Sequence, residues 1–453
     1  MVEINTERFT VGITERKDSG PAGYESTYLT GVGELVSDRM YTVLQSLNGE
    51  MPGAAAKVLR HRNLGSLVDA IEQGRRVGLV SGFKPSGAYH FGHKLASSAV
   101  SHFQRNGIGV YVPVADVECD NDRKLSRDQY MLWAADNLLD WGANGVDLDA
   151  AHVYLQSQEH RVDDVAKRLW SHMDFGLALD VYGPKFFDQI PSLHSGVTQS
   201  ADILLPQHSD FRNDTSFMMS GPDQDGHMNV TLELVRRAFG EGTPLCGVKT
   251  QPSSIYIPHI RGLGGGKASS SNPTETIYLG SGPDSLDLQT RIDLAQRKLK
   301  ESQELNPQGL MRSALDMIRY TDVFSTLSDV DLNAAYKSEQ YVSLLDEMQR
   351  VSGKDGQLAI QHRIDGFLDA YCRQRGQVNV DLITRTIPDV LAQHAQRRSD
   401  VMSYAIARAE SGDGVDLRPS FWETPEQGYV PDEKATPTRW YHIVADASDR
   451  LRP

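Results

Sequence analysis

The segment that decides the fold comprises residues 77–93, with the sequence VGLVSGFKPSGAYHFGH. Its first part, up to Gly82, combines apolar and small residues and predicts a short strand. A loop rich in Gly, Pro and Ser follows, and apolar residues recur at helical spacing from His93 onward. A strand, a tight loop and a helix in this order form the first unit of a parallel α/β sheet.

The same alternation continues toward the C-terminus. Further strands are predicted at residues 108–114, 152–156 and 217–220, and helices at residues 126–142, 162–179 and 228–239. Strands that alternate with helices predict an α/β fold with a doubly wound parallel sheet. In such a sheet, ligands bind at the carboxyl ends of the strands.

The remaining segments do not show this alternation. We expect residues 1–75 to form an N-terminal extension packed on the sheet domain, which we place at residues 76–286. Strand patterns vanish after about residue 287, and helical periodicity predicts a second, α-helical domain at residues 287–410. Residues 411–453 are rich in Gly, Pro and charge, and we interpret them as a C-terminal tail.

The composition excludes several classes of protein. The 453 residues include 46 Lys and Arg against 60 Asp and Glu, and the resulting net charge of −14 argues against a general binder of polyanions. Hydrophobic residues make up 39% of the chain, and adding the 39 glycines brings the apolar share to about 48%, the range of ordinary globular chains, which excludes collagen-like and disordered classes. The longest near-apolar run, near residues 107–117, is too short to span a bilayer, and the polar N-terminus is not a secretory signal. We therefore expect a cytoplasmic protein without a membrane partner.

The three cysteines are isolated from one another in the sequence. Such spacing favours neither a disulfide framework nor a Cys-x-x-Cys metal site. We expect no metal ion held by protein side chains.

Three short segments occur where the sheet argument places ligands. The first follows the first predicted strand and carries His90, Gly92 and His93. A glycine between two histidines lets the backbone approach a nucleotide closely, and imidazoles near a helix N-terminus can donate hydrogen bonds to phosphate oxygens. An ordinary surface turn with solvated histidines is the alternative interpretation.

The second segment comprises residues 264–273 and is rich in Gly and Ser. It carries Lys267 and the hydroxyls of Ser269, Ser270 and Ser271, all of which can bind phosphate oxygens. A flexible linker is the alternative, but linkers rarely separate two apolar segments that both look packed. We therefore expect a mobile loop over a phosphate site.

The third segment comprises residues 221–225, GPDQD, at a predicted strand-to-helix turn. A carboxylate such as Asp223 suits the hydroxyl pair of a ribose, as acidic residues do in other nucleotide-binding folds. Helix capping by Asp223 or Asp225 is the alternative.

In this order and spacing, the three segments resemble the signatures of class I aminoacyl-tRNA synthetases. Residues 90–93 resemble the His-Ile-Gly-His motif, and residues 267–271 resemble the Lys-Met-Ser-Lys-Ser loop, with Ala268 in place of the methionine. Within that class the chain is similar to tryptophanyl-tRNA synthetases of archaeal type, through residues 111–118, 198–204, 221–225 and 252–256. The likeness covers roughly residues 59–398.

The resemblance implies a fold and a reaction. The fold would be a Rossmann-type catalytic domain with an α-helical anticodon-binding domain, assembled as a homodimer. The reaction would use ATP with Mg²⁺ to convert L-tryptophan to its adenylate, followed by transfer to the 3′ end of tRNA(Trp). Because the attacking carboxylate is already ionised at neutral pH, positioning and charge stabilisation would supply the catalysis.

The resemblance also implies three groups of site residues. The residues that would bind ATP are His90, Gly92, His93, Gly221 and Asp223. The residues that would close over pyrophosphate are Lys267, Ser269, Ser270 and Ser271. The residues that would hold the ends of the amino acid are Glu118, Gln199 and Gln224.

Selection of the side chain depends on two further residues. Indole N–H is only a donor, so a selective pocket needs a buried acceptor, for which Asp202 is the best candidate. Similar tyrosyl enzymes use such an aspartate for the phenol, but they carry a tyrosine where this chain has Val80. Valine removes a hydrogen bond to the phenol and enlarges the pocket, which favours tryptophan. A structural core carboxylate is the alternative interpretation of Asp202.

Three other functions fit parts of the sequence. They are a tyrosyl-tRNA synthetase, a nucleotidyltransferase of the same superfamily that never binds tRNA, and a synthetase-like binding protein without catalysis. The predicted helical domain argues against the second, since Arg397 and Arg398 in it suit a tRNA-binding face, although a solvated charged helix shows the same pattern. Retention of His90, His93 and Lys267 argues against the third.

Overall fold

The computed structural model describes residues 33–46, 60–122, 124–182 and 190–257, together with residues 259, 269, 374, 377–379 and 381–387. These residues divide into two compact units. The first comprises the described residues up to 83, residues 102–122 and residues 150–257. The second comprises residues 84–101, residues 124–149 and the described positions from 259 onward.

A seven-stranded sheet forms the framework of the first unit, as far as the described residues go. Its strands in chain order are β1 (Glu34–Leu35), β2 (Arg60–Arg62), β3 (Val77–Val80), β4 (Gly109–Val114), β5 (His152–Leu155), β6 (Thr215–Ser220) and β7 (Ser253–Tyr256). Across the sheet they lie in the order β1-β2-β7-β6-β3-β4-β5. Neighbours from β7 to β5 are parallel, whereas β2 pairs antiparallel with both β1 and β7.

The chain winds outward from the middle of the sheet in two directions. From β3 it proceeds to β4 and β5 on one side, and then returns to place β6 and β7 on the other side. The predicted doubly wound parallel sheet is therefore confirmed. Where the winding direction reverses, a crevice forms at the carboxyl ends of the two flanking strands, here β3 and β6, and ligands of such folds bind there.

Ten helices are present among the described residues. They are α1 (Asp38–Ser46), α2 (Leu64–Glu72), α3 (Phe91–Arg105), α4 (Asp116–Asp122), α5 (Arg127–Ala143), α6 (His160–Trp170), α7 (Phe175–Tyr182), α8 (Ile190–Leu204), α9 (Asp225–Gly240) and the short α10 (Asp381–Thr384). No helix among the described residues is long and apolar enough to cross a bilayer.

The central strands are buried along their length, as parallel strands with helices packed on them usually are. Every residue of β3 and β7 is buried, and so are the first five residues of β6. The main apolar cluster combines residues of β3, β4 and β5 with residues of α6, α8 and α9. Its helical members include Val162, Val165, Leu169, Val197, Ala201, Val230, Leu234 and Ala238.

One predicted helix, at residues 162–179, is wrong as a single element. The structure has α6, which ends at Trp170, and α7, which begins at Phe175. Asp174 caps the second helix, because its side chain accepts the Leu177 N–H at 2.7 Å and its backbone carbonyl accepts the Ala178 N–H at 3.1 Å. The apolar periodicity continues across this break and therefore did not reveal it.

The other predicted strands and helices of residues 77–240 are confirmed within three residues at each end. The predicted capping box is also present, with Ser126 and Gln129 each bonding the backbone of the other. The segment before residue 76 differs from the expected extension, because β1 and β2 continue the sheet beyond β7. The predicted tail at residues 411–453 lies outside the described residues, as does nearly all of the predicted helical domain at residues 287–410.

Gly78 in the middle of β3 allows the turn at Leu205–Gln207 to pack directly on the sheet. A Cβ atom at Gly78 would lie 2.3 Å from Cβ of Pro206. That atom belongs to the rigid proline ring, which cannot move aside. We predict that Gly78→Ala lowers the free energy of unfolding by about 2 kcal/mol or more. Denaturation with urea measures this change.

Gly65 in α2 provides the matched control. A Cβ atom there would meet no heavy atom within 4 Å, and alanine favours helix. Gly65→Ala should therefore raise the stability slightly, by up to ~1 kcal/mol. Equal effects of the two substitutions would contradict the packing described for β3.

Candidate active site

The turn that carries the two predicted histidines begins helix α3 in the second unit. The carbonyl of His90 accepts the Lys94 N–H at 3.0 Å, and Nδ1 of the buried His90 ring accepts the Gly92 N–H at 3.1 Å. The His90 side chain therefore caps the helix that follows it. A Cβ atom at Gly92 would lie 2.9 Å from Cε1 of His90, so a larger residue would force this ring to shift.

The two imidazole rings lie in contact with each other. The rings of His90 and His93 stack with their centroids 3.8 Å apart, and Nδ1 of His93 faces the His90 N–H at 3.4 Å. Because Nδ1 of each ring faces a backbone N–H, the neutral form of each ring would carry its proton on Nε2. Two N–H donors at a helix N-terminus suit an anion such as phosphate.

Helix α5 and its C-cap residue Asn144 hold this turn in place within the second unit. The side-chain amide of Asn137 donates to the Gly87 carbonyl at 3.3 Å, and that of Asn144 donates to the Tyr89 hydroxyl at 3.1 Å. The buried Tyr89 hydroxyl also contacts Ser97 Oγ, at 2.5 Å. These bonds fix the loop that precedes the histidines.

The predicted ribose segment forms a short 3-10 turn, Pro222–Gln224, directly after β6 in the first unit. The Gln224 N–H donates to the Gly221 carbonyl at 3.1 Å, and Asp223 is exposed. Gln224, the residue at the N-cap position of helix α9, makes no side-chain capping bond. The buried Asp225 instead binds both Nε and Nη2 of Arg62, at 2.5 and 2.7 Å.

Two of the residues predicted to hold the ends of the amino acid lie together. Nε2 of Gln199, on α8, donates to Oε1 of Gln224 at 2.7 Å. This bond leaves one N–H of Gln199 and the amide N–H groups of Gln224 as donors for a ligand. The pair lies at the carboxyl end of β6, where the crevice of the sheet is expected.

Glu118, on α4, and Asp223 are brought near the same side chain, His227. Burial lowers the pKa of His227, against the opposing effect of the negative charges of Glu118 and Asp223. The sequence interpretation did not include His227, although it lies only four residues after Asp223. The helical spacing of the two was the available signal.

Asp202, on α8, is a buried carboxylate with a donor on each oxygen. The Tyr154 hydroxyl donates to Oδ1 at 2.8 Å, and Nε2 of Gln156 donates to Oδ2 at 2.5 Å. Asp202 is 2% exposed, and both partners are buried as well. The sequence interpretation did not include Tyr154 or Gln156, although the strand predicted at residues 152–156 would place both on one face.

The surroundings of Asp202 change its acidity. Burial raises the pKa of Asp202 to about 7, although the bonds from Gln156 and Tyr154 lower it, and the negative charges of Asp116 and Glu159 raise it further. Burial, with the charge of Asp202, raises the pKa of Tyr154 well above its usual value. The Tyr154 hydroxyl therefore stays protonated and remains a donor.

Val80, at the end of β3, lies in the apolar cluster of the first unit. The same cluster contains Tyr111, Tyr154 and Ala201, the last of which is next to Asp202 in α8. Val80 contributes no hydrogen-bonding group at this position. Tyr154, a member of the same cluster, bonds Asp202, so the carboxylate borders this cluster.

Several predicted site residues lie outside the described residues. These are Lys267, Ser270 and Ser271 of the Gly/Ser-rich segment, and Arg397 and Arg398 of the predicted helical domain. Ser269 is described and is half-buried.

A known family matches more than half of the chain. The family is described as tRNA synthetases class I (W and Y), and the match covers residues 72–178 and 192–354.

Curated relatives from archaea are tryptophan–tRNA ligases. That of Methanocaldococcus jannaschii is 32% identical over 227 residues, which are 49% of this chain and 60% of the relative. That of Hyperthermus butylicus is 31% identical over 252 residues, which are 54% of this chain and 62% of the relative. The chain thus spans about three fifths of the length of these relatives.

Solved structures share the fold. The tryptophanyl-tRNA synthetase of Aeropyrum pernix K1 superposes with a TM-score of 0.56 at 22% identity, over 78% of this chain and 91% of that one. The tyrosyl-tRNA synthetase of Aeropyrum pernix superposes with a TM-score of 0.53 at 15% identity, over 80% of this chain and 99% of that one. Because both superpose, the fold does not distinguish tryptophan from tyrosine.

The raised pKa of Asp202 predicts a pH-dependent stability. The folded chain keeps the Asp202 proton up to about pH 7, whereas the unfolded chain releases it near pH 4. The contribution of this carboxyl to stability is therefore complete below about pH 4 and is lost as the pH rises through 7. Between pH 5 and pH 8 the free energy of unfolding should fall in both proteins. We predict that it falls by roughly 2–3 kcal/mol more in the wild type than in Asp202→Asn.

Urea denaturation at the two pH values measures this difference. Asp163→Asn, at an exposed carboxylate of α6, is the control and should follow the wild type. The same pH dependence in the wild type and in Asp202→Asn would contradict a protonated Asp202 in the folded chain.

Proposed function

Because the chain belongs to the class I tRNA synthetases of the tryptophan and tyrosine group, we propose that it activates L-tryptophan with ATP and transfers the tryptophanyl group to tRNA(Trp). The archaeal tryptophan–tRNA ligases at 31 and 32% identity support this substrate. The choice of tryptophan rests chiefly on one observation. The buried Asp202 carboxylate has a donor on each oxygen and lies beside an apolar cluster that contains Val80.

The first step forms tryptophanyl-adenylate. The tryptophan carboxylate attacks the α-phosphate of ATP, and pyrophosphate leaves. No general base is needed, since the carboxylate is ionised at neutral pH. The protein therefore contributes positioning and stabilisation of the charge that develops on the phosphates.

We assign the ATP contacts by the resemblance and by local geometry. The Nε2–H groups of His90 and His93 donate to phosphate oxygens, and Gly92 keeps the His90 ring in its position. Asp223, beside Gly221, accepts the ribose hydroxyls, for which its exposed carboxylate is suited. Lys267 with Ser269, Ser270 and Ser271 stabilises the pyrophosphate as it leaves. Mg²⁺ enters with the phosphates of ATP.

The ends of the amino acid are held by Glu118, Gln199 and Gln224. An ammonium group needs acceptors, which Glu118 and the amide oxygens supply, and a carboxylate needs donors, which the amide N–H groups supply. The bond between Gln199 and Gln224 fixes both side chains in one geometry. This preorganisation reduces the entropy lost when the substrate binds.

The side-chain pocket selects indole through Asp202 and Val80. A carboxylate has about four lone-pair positions, and Tyr154 and Gln156 use one on each oxygen, so acceptor capacity remains for an indole N–H. A phenol hydroxyl also needs a donor for its oxygen, and Val80 supplies none. An unmet hydrogen bond of this kind costs enough affinity to separate tryptophan from tyrosine.

The second step requires tRNA, which we propose to contact the predicted helical domain at residues 287–410. Arg397 and Arg398 supply positive charge for the phosphate backbone. We further propose that the protein works as a homodimer in the cytoplasm, as the resemblance implies.

Exchange of labelled pyrophosphate into ATP, measured with each amino acid in turn, tests this proposal. We predict exchange that depends on L-tryptophan and is about a hundredfold weaker or more with tyrosine. His93→Ala should lower the rate by roughly 10²- to 10³-fold, because one donor to the developing charge is lost. His160→Ala, at an exposed histidine of α6, is the matched control and should keep the wild-type rate.

The alternatives give different outcomes in the same assay. Exchange with tyrosine alone would identify a tyrosyl-tRNA synthetase. Exchange that is never followed by charging of tRNA would indicate a nucleotidyltransferase that does not use tRNA. No exchange with any amino acid would indicate a binding protein without catalysis.

A further inference from the structure

The short turn after β5, Gln156–Ser157, joins two helices that carry proposed substrate contacts. The turn begins the 3-10 segment Gln156–Gln158 at the carboxyl end of β5. One of its residues bonds α8, and the next bonds α4. All of these elements belong to the first unit.

The bond to α8 is made by Gln156. Its Nε2 donates to Oδ2 of Asp202 at 2.5 Å, and the side chain of Gln156 is buried. The other oxygen of Asp202 accepts the Tyr154 hydroxyl at 2.8 Å. Two fixed donors on two oxygens determine the plane of the carboxylate and the directions of its remaining lone pairs.

The bond to α4 is made by Ser157. The carboxylate of Asp116, the fully buried first residue of α4, accepts both the backbone N–H of Ser157, at 3.1 Å, and the Ser157 hydroxyl. Helix α4 also bonds α8, since Nδ2 of Asn121 donates to Ser195 Oγ at 2.6 Å. The position of the Gln156 backbone is therefore set from both helices.

We propose that Gln156 is a specificity-determining residue that acts by positioning Asp202. Anchored through Ser157 to Asp116, it directs one acceptor of the Asp202 carboxylate toward the indole N–H of the substrate. Gln156 itself does not touch the substrate. This inference rests on the proposed activation of tryptophan.

The groups around Asp202 determine how loss of the Gln156 donor would change the pH dependence of tryptophan recognition. The groups near it are the Tyr154 hydroxyl and the carboxylates of Asp116 and Glu159. Gln156 donates to the ionised form of Asp202, so loss of this donor raises the pKa of Asp202 further. A neutral carboxyl is a weaker acceptor. As the pH falls, the variant therefore loses recognition of tryptophan at a higher pH than the wild type does.

Gln156→Met and Gln158→Met form a matched pair of variants. Methionine keeps the length of the side chain and removes the amide donor, and Gln158 is an exposed residue of the same turn. Pyrophosphate exchange gives KM for tryptophan, KM for ATP and the pH profile of kcat/KM for tryptophan. Circular dichroism checks that each variant is folded.

We expect Gln156→Met to raise KM for tryptophan about tenfold or more and to leave KM for ATP within about twofold. The midpoint of its pH profile should move to higher pH, whereas Gln158→Met should match the wild type in all three measurements. A merely structural role of Gln156 would not move this midpoint. If Gln156→Met does not fold, Tyr154→Phe removes the other donor and should move the midpoint in the same direction.

Two results would overturn the inference in distinguishable ways. If the wild type exchanges with tryptophan and Gln156→Met behaves like Gln158→Met, then Gln156 does not position Asp202. If the wild type itself shows no exchange with tryptophan, the proposed function fails before any variant is compared.

Discussion

The carboxylate of Asp202 is 2% exposed and lies beside apolar side chains, where an ionisable group is costly unless hydrogen bonds compensate. Tyr154 and Gln156 supply that compensation, and they can do so only if the end of β5 lies against the last turns of α8. Burial nevertheless raises the pKa of Asp202 to about 7. A buried carboxyl whose pKa is shifted in this way is the pattern expected of a functional residue, and in the proposed side-chain pocket its ionised form is the acceptor.

The winding of the sheet explains why the proposed amino-acid contacts lie near one another. The reversal of strand order between β3 and β6 opens a crevice at their carboxyl ends. Val80 ends β3, and the turn with Gln224 follows β6. Helix α8 then brings Gln199 against Gln224 and presents Asp202 one turn further along. A loop that follows a parallel strand can therefore contribute to a binding site with only a few polar residues.

Much of this arrangement could be predicted from the sequence, because it depends on local patterns. Apolar periodicity located β4, β6 and α9, and the capping box located the start of α5. The break between α6 and α7 was missed because the Asp174 cap interrupts the backbone and not the hydrophobic pattern. Strands β1 and β2 were missed because two or three residues show no periodicity, and their place depends on pairing with β7.

The site shows the same division. His90, Gly92 and His93 lie within four residues of sequence, so their motif could be recognised. The donors to Asp202 come from β5 and from the turn after it, 48 and 46 residues earlier.

The most direct test of the central claim compares tryptophan with its isostere 3-benzothienylalanine, in which sulfur replaces the indole N–H. The measurement is the ratio of their kcat/KM values in pyrophosphate exchange by the wild-type protein at pH 8, where Asp202 is ionised. If Asp202 accepts the indole N–H, tryptophan should be preferred by roughly tenfold to a hundredfold, the value of a hydrogen bond to a charged group. Equal kcat/KM values for the two amino acids would contradict that claim.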